Sequence, residues 1–249
     1  MPAEAVPQFR LVVTAMSNRG AARENNEDTI GIDGWTLSAL SPASLTVGIL
    51  VDHEVDVVIA DGMGGHNGGA EASQLAVSTY FVSGPDIGQA LARTSEAVHL
   101  KGSRVDDLHG MATTMVGFRF KPDGTSVVFN VGDSRAYRII EGYLGRLSVD
   151  DRPSNPGPTD AGVVTAYLGG EHQLVLQPHF HDIALTGGDR LLLCSDGLHD
   201  YIDEATIVTS LGLAAHESAE ALLRAAFSSG APDNVSFVIV DVLGATETA

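Results

Sequence analysis

The chain has 249 residues, 44% of them hydrophobic and 18% charged, enough for a packed core and too apolar for a solvating tail. Its 14 Lys and Arg face 32 Asp and Glu, and the resulting net charge of −18 repels a phosphate backbone and argues against nucleic-acid binding. The single cysteine, Cys194, excludes an internal disulfide and a Cys-based zinc site, and no stretch nears the roughly 20 consecutive apolar residues of a membrane span.

Met1 to Val13 lacks the basic and long apolar regions of a signal peptide, so a soluble, cytoplasmic protein is expected, with no membrane insertion. Phe9–Met16 reads as a strand and Ser17–Gly20 as a turn. The polar run Arg23–Asp28 then leads into a strand at Thr29–Ile32. Asp33 to about Thr46 reads as a surface loop, and Val47–Val51 and Glu54–Ala60 as strands. Helices are predicted over Gly69–Val82 and about Asp86–Leu100, whose apolar positions (Leu75, Ala76, Tyr80; Leu91, Ser95, Val98) have the spacing of a face packed on a sheet. Strands follow at Met111–Phe120, Thr125–Val131 and Arg135–Ile140, then a loop over Asp150–Gly162. Further strands are expected at Val163–Leu168, around His179–Leu185 and at Arg190–Cys194. Helices at Asp203–Leu213 and Glu217–Ser228 precede a last strand at Val235–Leu243. Strands outnumber helices and many are joined by short turns, which suggests largely antiparallel sheets covered by helices, in one domain spanning 1–249.

The acids sit at strand ends. Val57–Ala60 runs into Asp61 and a glycine-rich turn, Gly62-Met63-Gly64-Gly65-His66, where the backbone can come close to whatever the carboxylate holds. A lone Asp-Gly pair is most often only a turn. Here Asp196 leaves a strand in the same way, while Glu27-Asp28 and Asp233 lie at the start of theirs. In antiparallel neighbours such ends are adjacent, so all four stretches can share a single sheet edge. Two carboxylates about 5 Å apart repel by roughly 3 kcal/mol at an effective dielectric near 20. Several together must take up protons or bind cations, and with Arg23 the one arginine near the acidic motifs, divalent metals are expected. Carboxylate and carbonyl oxygens suit Mg²⁺ or Mn²⁺, and two such ions roughly 4 Å apart would activate a bridging water for in-line attack on phosphorus.

Taken in order, Arg23–Asp28, Ala60–His66, Gly110-Met111-Ala112-Thr113-Thr114, Asn130–Arg135, Cys194-Ser195-Asp196-Gly197 and Asp233-Asn234-Val235 resemble the metal-dependent Ser/Thr protein phosphatases of type 2C (the PPM family), in their bacterial form. The resemblance covers residues 10 to 243. It implies an α+β fold, a four-layer αββα sandwich of two mostly antiparallel sheets flanked by helix pairs, with a dinuclear Mn²⁺/Mg²⁺ centre. By position it implies that Asp61 bridges both ions, that Gly62 offers its carbonyl, and that Asp196 and Asp233 complete the ligands of the second ion. Glu27 and Asp28 would hold metal-bound waters, and Arg23 would grip the substrate phosphate. Asp107 has the spacing of the aspartate that holds a third ion in bacterial members, shared with Asp196, although a plain loop acid has the same look.

Asp133 is expected to be a structural hydrogen-bonding residue, Ser195 not to be a nucleophile, and His66 to be an exposed turn histidine in preference to a general acid. The chain departs from the family twice. Met63 stands where eukaryotic relatives carry a histidine, which leaves the source of the leaving-group proton open. Only Ser148 to Ala166 lies before Leu168-Gly169-Gly170, so the flap over about 148–166 is shortened. The expected function is hydrolysis of phosphoserine and phosphothreonine in proteins, the expected substrates being targets of a Ser/Thr kinase. Two rivals are a catalytically weak relative that binds phosphoproteins and regulates a kinase pathway, and a metal-dependent nuclease, which the acidic charge disfavours.

Overall fold

The computed structural model describes residues 8–38, 44–64, 68–155, 157, 162–171 and 175–244. In chain order the elements are β1 (Phe9–Asn18), β2 (Asp28–Ile32), β3 (Trp35–Ser38), β4 (Leu45–Leu50), β5 (Val55–Met63), α1 (Gly68–Val82) and α2 (Ile87–Gly102). Then come β6 (Ala112–Thr113), β7 (Met115–Phe120), β8 (Thr125–Val131), β9 (Arg135–Ile140), β10 (Tyr143–Arg146), β11 (Leu168–Gly169), β12 (His179–Ala184) and β13 (Arg190–Cys194). The last are α3 (Asp196–His199), α4 (Glu204–Leu211), α5 (Ala215–Ser228) and β14 (Val235–Gly244).

The strands form two sheets, one in the order β10-β9-β13-β14-β1-β4 and one in the order β11-β6-β5-β7-β8-β12 with the β2–β3 hairpin alongside β5. Every pairing among the described residues is antiparallel. Alternation along each strand explains the layering, because successive side chains point to opposite faces. On β5, Val57 and Ile59 enter the core between the sheets with Leu11, Phe118, Leu193 and Val240. Val58 and Ala60 face the other way and pack with Ala76, Tyr80, Leu91 and Val98 of α1 and α2. The opposite sheet turns Leu192, Phe237 and Ile239 towards Ile207, Leu211, Leu222 and Ala226 of α4 and α5. Strands buried on both faces read as unbroken apolar runs, and the result is the four-layer αββα sandwich expected. Two aspartates start helices as N-caps: Asp86 accepts the Gln89 N–H at 2.8 Å and Asp203 the Thr206 N–H at 2.7 Å.

Several boundaries differ from expectation. Within the predicted loop 33–46, Trp35–Ser38 is a strand, because Asp33 (φ 47°) and Gly34 (φ 85°) make the left-handed two-residue turn of a hairpin. The expected strand Val163–Leu168 is reduced to Leu168–Gly169, paired with only two residues of β6. Met111–Phe120 is split at Thr114, whose backbone N–H turns to Asp61 O at 2.9 Å. β5 runs on to Met63, so Asp61 lies inside the strand and does not follow it.

Candidate active site

The carboxylates meet at one end of the sandwich and not along one sheet edge. Asp28 and Asp61 belong to the sheet of β2 and β5, while Asp196 and Asp233 leave and enter strands of the other sheet. The register sets Asp28 directly opposite Asp61, a like-charge cross-strand pair that is destabilising unless something intervenes. A cavity of about 530 Å³ opens there, and Glu27, Asp61, Asp133, Asp196, Asp200 and Asp233 line it with Arg23 at its rim.

The backbone that carries these acids is held tightly. Asp61 donates its N–H to Thr114 Oγ1 at 3.2 Å, and its carbonyl accepts from Thr113 Oγ1 at 2.8 Å, which gives the paired threonines their use. Gly62 donates to Glu27 O at 3.2 Å, and a Cβ there would collide with Gly69 O and come within 2.7 Å of Glu27 O, so only glycine fits. Asn234 ties three segments together: Oδ1 accepts the Glu27 N–H at 2.8 Å, and Nδ2 donates to Arg19 O and Asn25 O at 2.9 Å. Asp233 accepts from its neighbour's N–H at 2.8 Å and from Arg23 Nη2 at 2.7 Å. Ser195 is fully buried, and its hydroxyl donates to Asp28 Oδ2 at 2.9 Å while accepting the Ser236 N–H at 3.1 Å, the role of an orienting group.

Crowding shows in the acidities. Burial, then Asp28 and Asp196, pushes Asp61 well above the ordinary carboxylate range. Burial, with Asp133 and Asp233 beside it, pushes Asp196 up to about 7. Burial raises Asp28 to about 6 even though Ser236 and Ser195 hydrogen-bond to it. Asp200 behaves oppositely: burial raises it, but hydrogen bonds from His199 and Arg152 outweigh this and hold it well below the usual range.

Asp107 is not brought to the cavity; it stands exposed on a short 3₁₀ turn, Asp106–Leu108. His66 lies outside the described residues. Asp133 is buried and its Oδ2 accepts Arg152 Nε at 2.7 Å, in keeping with a structural partner, though it also lines the cavity. Three participants escaped the sequence reading. Arg152 lies in what read as a Pro/Asp/Gly loop, Asp200 sits one turn after Asp196, and Tyr201 stands at the cavity wall.

The donor set fits a hard divalent ion. It consists of carboxylates and backbone carbonyls, and Asp28 Oδ1 is buried without a hydrogen-bond partner, a cost a protein rarely bears without an occupant. Among the described residues no three Asp, Glu, His or Cys side chains already close on a common point.

Comparison with known proteins gives the same assignment. No family model matches the chain. The serine/threonine protein phosphatase PstP of Mycobacterium tuberculosis is 34% identical over 94% of this chain and 45% of its own length, so the chain spans less than half of that relative. The serine/threonine phosphatase stp of Listeria innocua is 27% identical over 90% of this chain and 93% of its own. The crystal structure of the PstP catalytic domain in complex with two manganese ions superposes with a TM-score of 0.73 at 30% identity, covering 94% of this chain and 99% of that one. The chain belongs to the bacterial type 2C serine/threonine protein phosphatase family. No helix among the described residues is long and apolar enough to cross a membrane.

Proposed function

We propose that the chain is a protein serine/threonine phosphatase that hydrolyses phosphoserine and phosphothreonine, with residues 10 to 243 forming its catalytic domain. The observation that carries this is the facing pair Asp28 and Asp61, the latter lining a cavity together with Asp196 and Asp233, with Arg23 at its rim. Asp61, Asp196, Asp233 and the Gly62 carbonyl would hold two ions, Mn²⁺ or Mg²⁺, with Glu27 and Asp28 ordering the solvent around them. When bound, such a pair supplies Lewis acidity and an activated water for in-line attack on phosphorus.

Arg23 would receive the substrate. A guanidinium offers five donors in a planar fork, and Arg23, half exposed, is aimed by its bond from Nη2 to Asp233. That ion pair places positive charge at the entrance of a negative cavity, where the phosphate dianion must arrive. Met63 supplies no proton and Asp107 stays outside the set. The substrates would be phosphoproteins made by a Ser/Thr kinase, met in the cytoplasm, a reducing setting in keeping with a lone thiol, Cys194, buried and unpaired.

Hydrolysis of p-nitrophenyl phosphate in Mn²⁺ tests the reading. Asp61→Ala, Asp196→Ala and Asp233→Ala should each abolish it, and full activity in any one removes that residue from the site.

A further inference from the structure

One cation already sits among these carboxylates and has no part in the scheme above. The Arg152 guanidinium reaches Asp133 Oδ2 through Nε at 2.7 Å and grips Asp200 with both terminal nitrogens, at 3.2 and 2.6 Å. Its Nη2 also stands 3.7 Å from Asp196 Oδ2. Asp133, Asp196 and Asp200 make up one wall of the cavity. An oxygen that accepts a short hydrogen bond from a guanidinium has little left to offer an external ion, so Asp133 Oδ2 and Asp200 are already engaged by a cation of the chain itself.

The position of Arg152 is built and not incidental. Asp150, two residues before, accepts from Arg135 Nη2 at 2.6 Å and from Arg146 Nη1 at 3.2 Å. Asp151 accepts the Gly132 N–H at 2.8 Å and lies 2.9 Å from His179 Nε2. Asp150 and Asp151 are thus anchored to β9, β10, β12 and the turn at Gly132, which fixes the backbone that carries Arg152 and lowers the entropy cost of placing it.

We propose that Arg152 is a resident counter-cation, which takes the place of a divalent ion at the Asp133–Asp196–Asp200 wall and so limits how many ions the cavity accepts. The inference rests on the metal-site reading above. It makes Arg152 a positioning residue for Asp196, whose Oδ2 lies 3.7 Å from Nη2 beside the two carboxylates that the guanidinium holds. Without the guanidinium, Asp133 and Asp200 would lose their cation on a wall that Asp196 also lines, and hard oxygen donors left in this way attract a divalent cation.

The test uses Mn²⁺ alone, followed by titration calorimetry and by thermal melts in chelator and in Mn²⁺. Arg152→Gln keeps a hydrogen-bonding head without charge, and Arg152→Lys keeps the charge. The Gln variant should take up an additional Mn²⁺ per chain and show a larger Mn²⁺-induced rise in Tm than wild type, while the Lys variant should match wild type in both. Should the Gln variant fold only with Mn²⁺, the dependence itself supports the proposal; failure of Mn²⁺ to restore it counts against. A Gln variant that merely melts earlier, with wild-type stoichiometry and a wild-type Mn²⁺ shift, makes Arg152 a loop staple and overturns the inference. Absence of Mn²⁺ uptake by the wild type overturns the metal reading as well, and that failure is recognised without any variant.

Discussion

Replacing Asp28 by Asn should stabilise the metal-free protein at neutral pH while impairing the loaded one. Asp28 is 1% exposed, faces Asp61 across the β2–β5 pairing, and keeps one carboxylate oxygen without a partner. In the folded chain its pKa rises from 3.8 to about 6, chiefly through burial. Between those values the native state holds a proton that the unfolded chain has released, so native stability falls as pH climbs from about 4 to about 6 and stays low above. The difference corresponds to about 3 kcal/mol at the upper plateau, an upper bound because Asp28 titrates together with its neighbours. Asn cannot ionise and still accepts the Ser195 hydroxyl, so it escapes this penalty. Urea denaturation in chelator at several pH values checks the claim. At about pH 4 the variant and wild type should be alike; by about pH 7.5 the variant should be more stable by up to about 3 kcal/mol. In Mn²⁺ the order should reverse, since the wild-type carboxylate then has its counter-charge. A variant that is less stable in chelator at neutral pH, or a difference that does not change with pH, would refute the reasoning.

Arg23→Ala should mainly raise KM for a phosphopeptide, with kcat less affected, because the guanidinium binds phosphate at the rim; an unchanged KM contradicts the role. Gly62→Ala should lower Tm and Mn²⁺ affinity together, since the added methyl must displace the backbone at Gly69 and Glu27. A soluble variant with wild-type melting and metal affinity would show that the close approach is not required.

Much of the site was legible because the motifs sit where strands end, and strand ends are marked by abrupt changes from apolar to acidic residues. Asp196 just after Leu191–Cys194 is of this kind, while Asp61 follows the apolar run Val57–Ala60 although β5 continues to Met63, and each is half-buried beside its run. The arrangement across two sheets was not legible, because strand-end logic says that ends are adjacent and not which sheet owns them; the pairing of β2 with β5 and of β13 with β14 settles it. The β2–β3 hairpin was signalled by Asp33-Gly34 but hidden by the loop-like composition that follows. Arg152 escaped for a stronger reason. Its partners Asp133 and Asp200 lie 19 and 48 residues away, and a local pattern carries no record of such pairings. Asp107 has the expected spacing, and it stands on an exposed 3₁₀ turn outside the cavity lining.

The central claim is that these carboxylates work only with divalent ions between them to hydrolyse a phosphate ester. Phosphate release from a phosphothreonine peptide, measured in Mn²⁺, then in excess chelator, then after Mn²⁺ is restored, tests it most directly. Turnover that vanishes with chelator and returns with the metal is the predicted result; turnover indifferent to chelator, or none under any condition, contradicts the account.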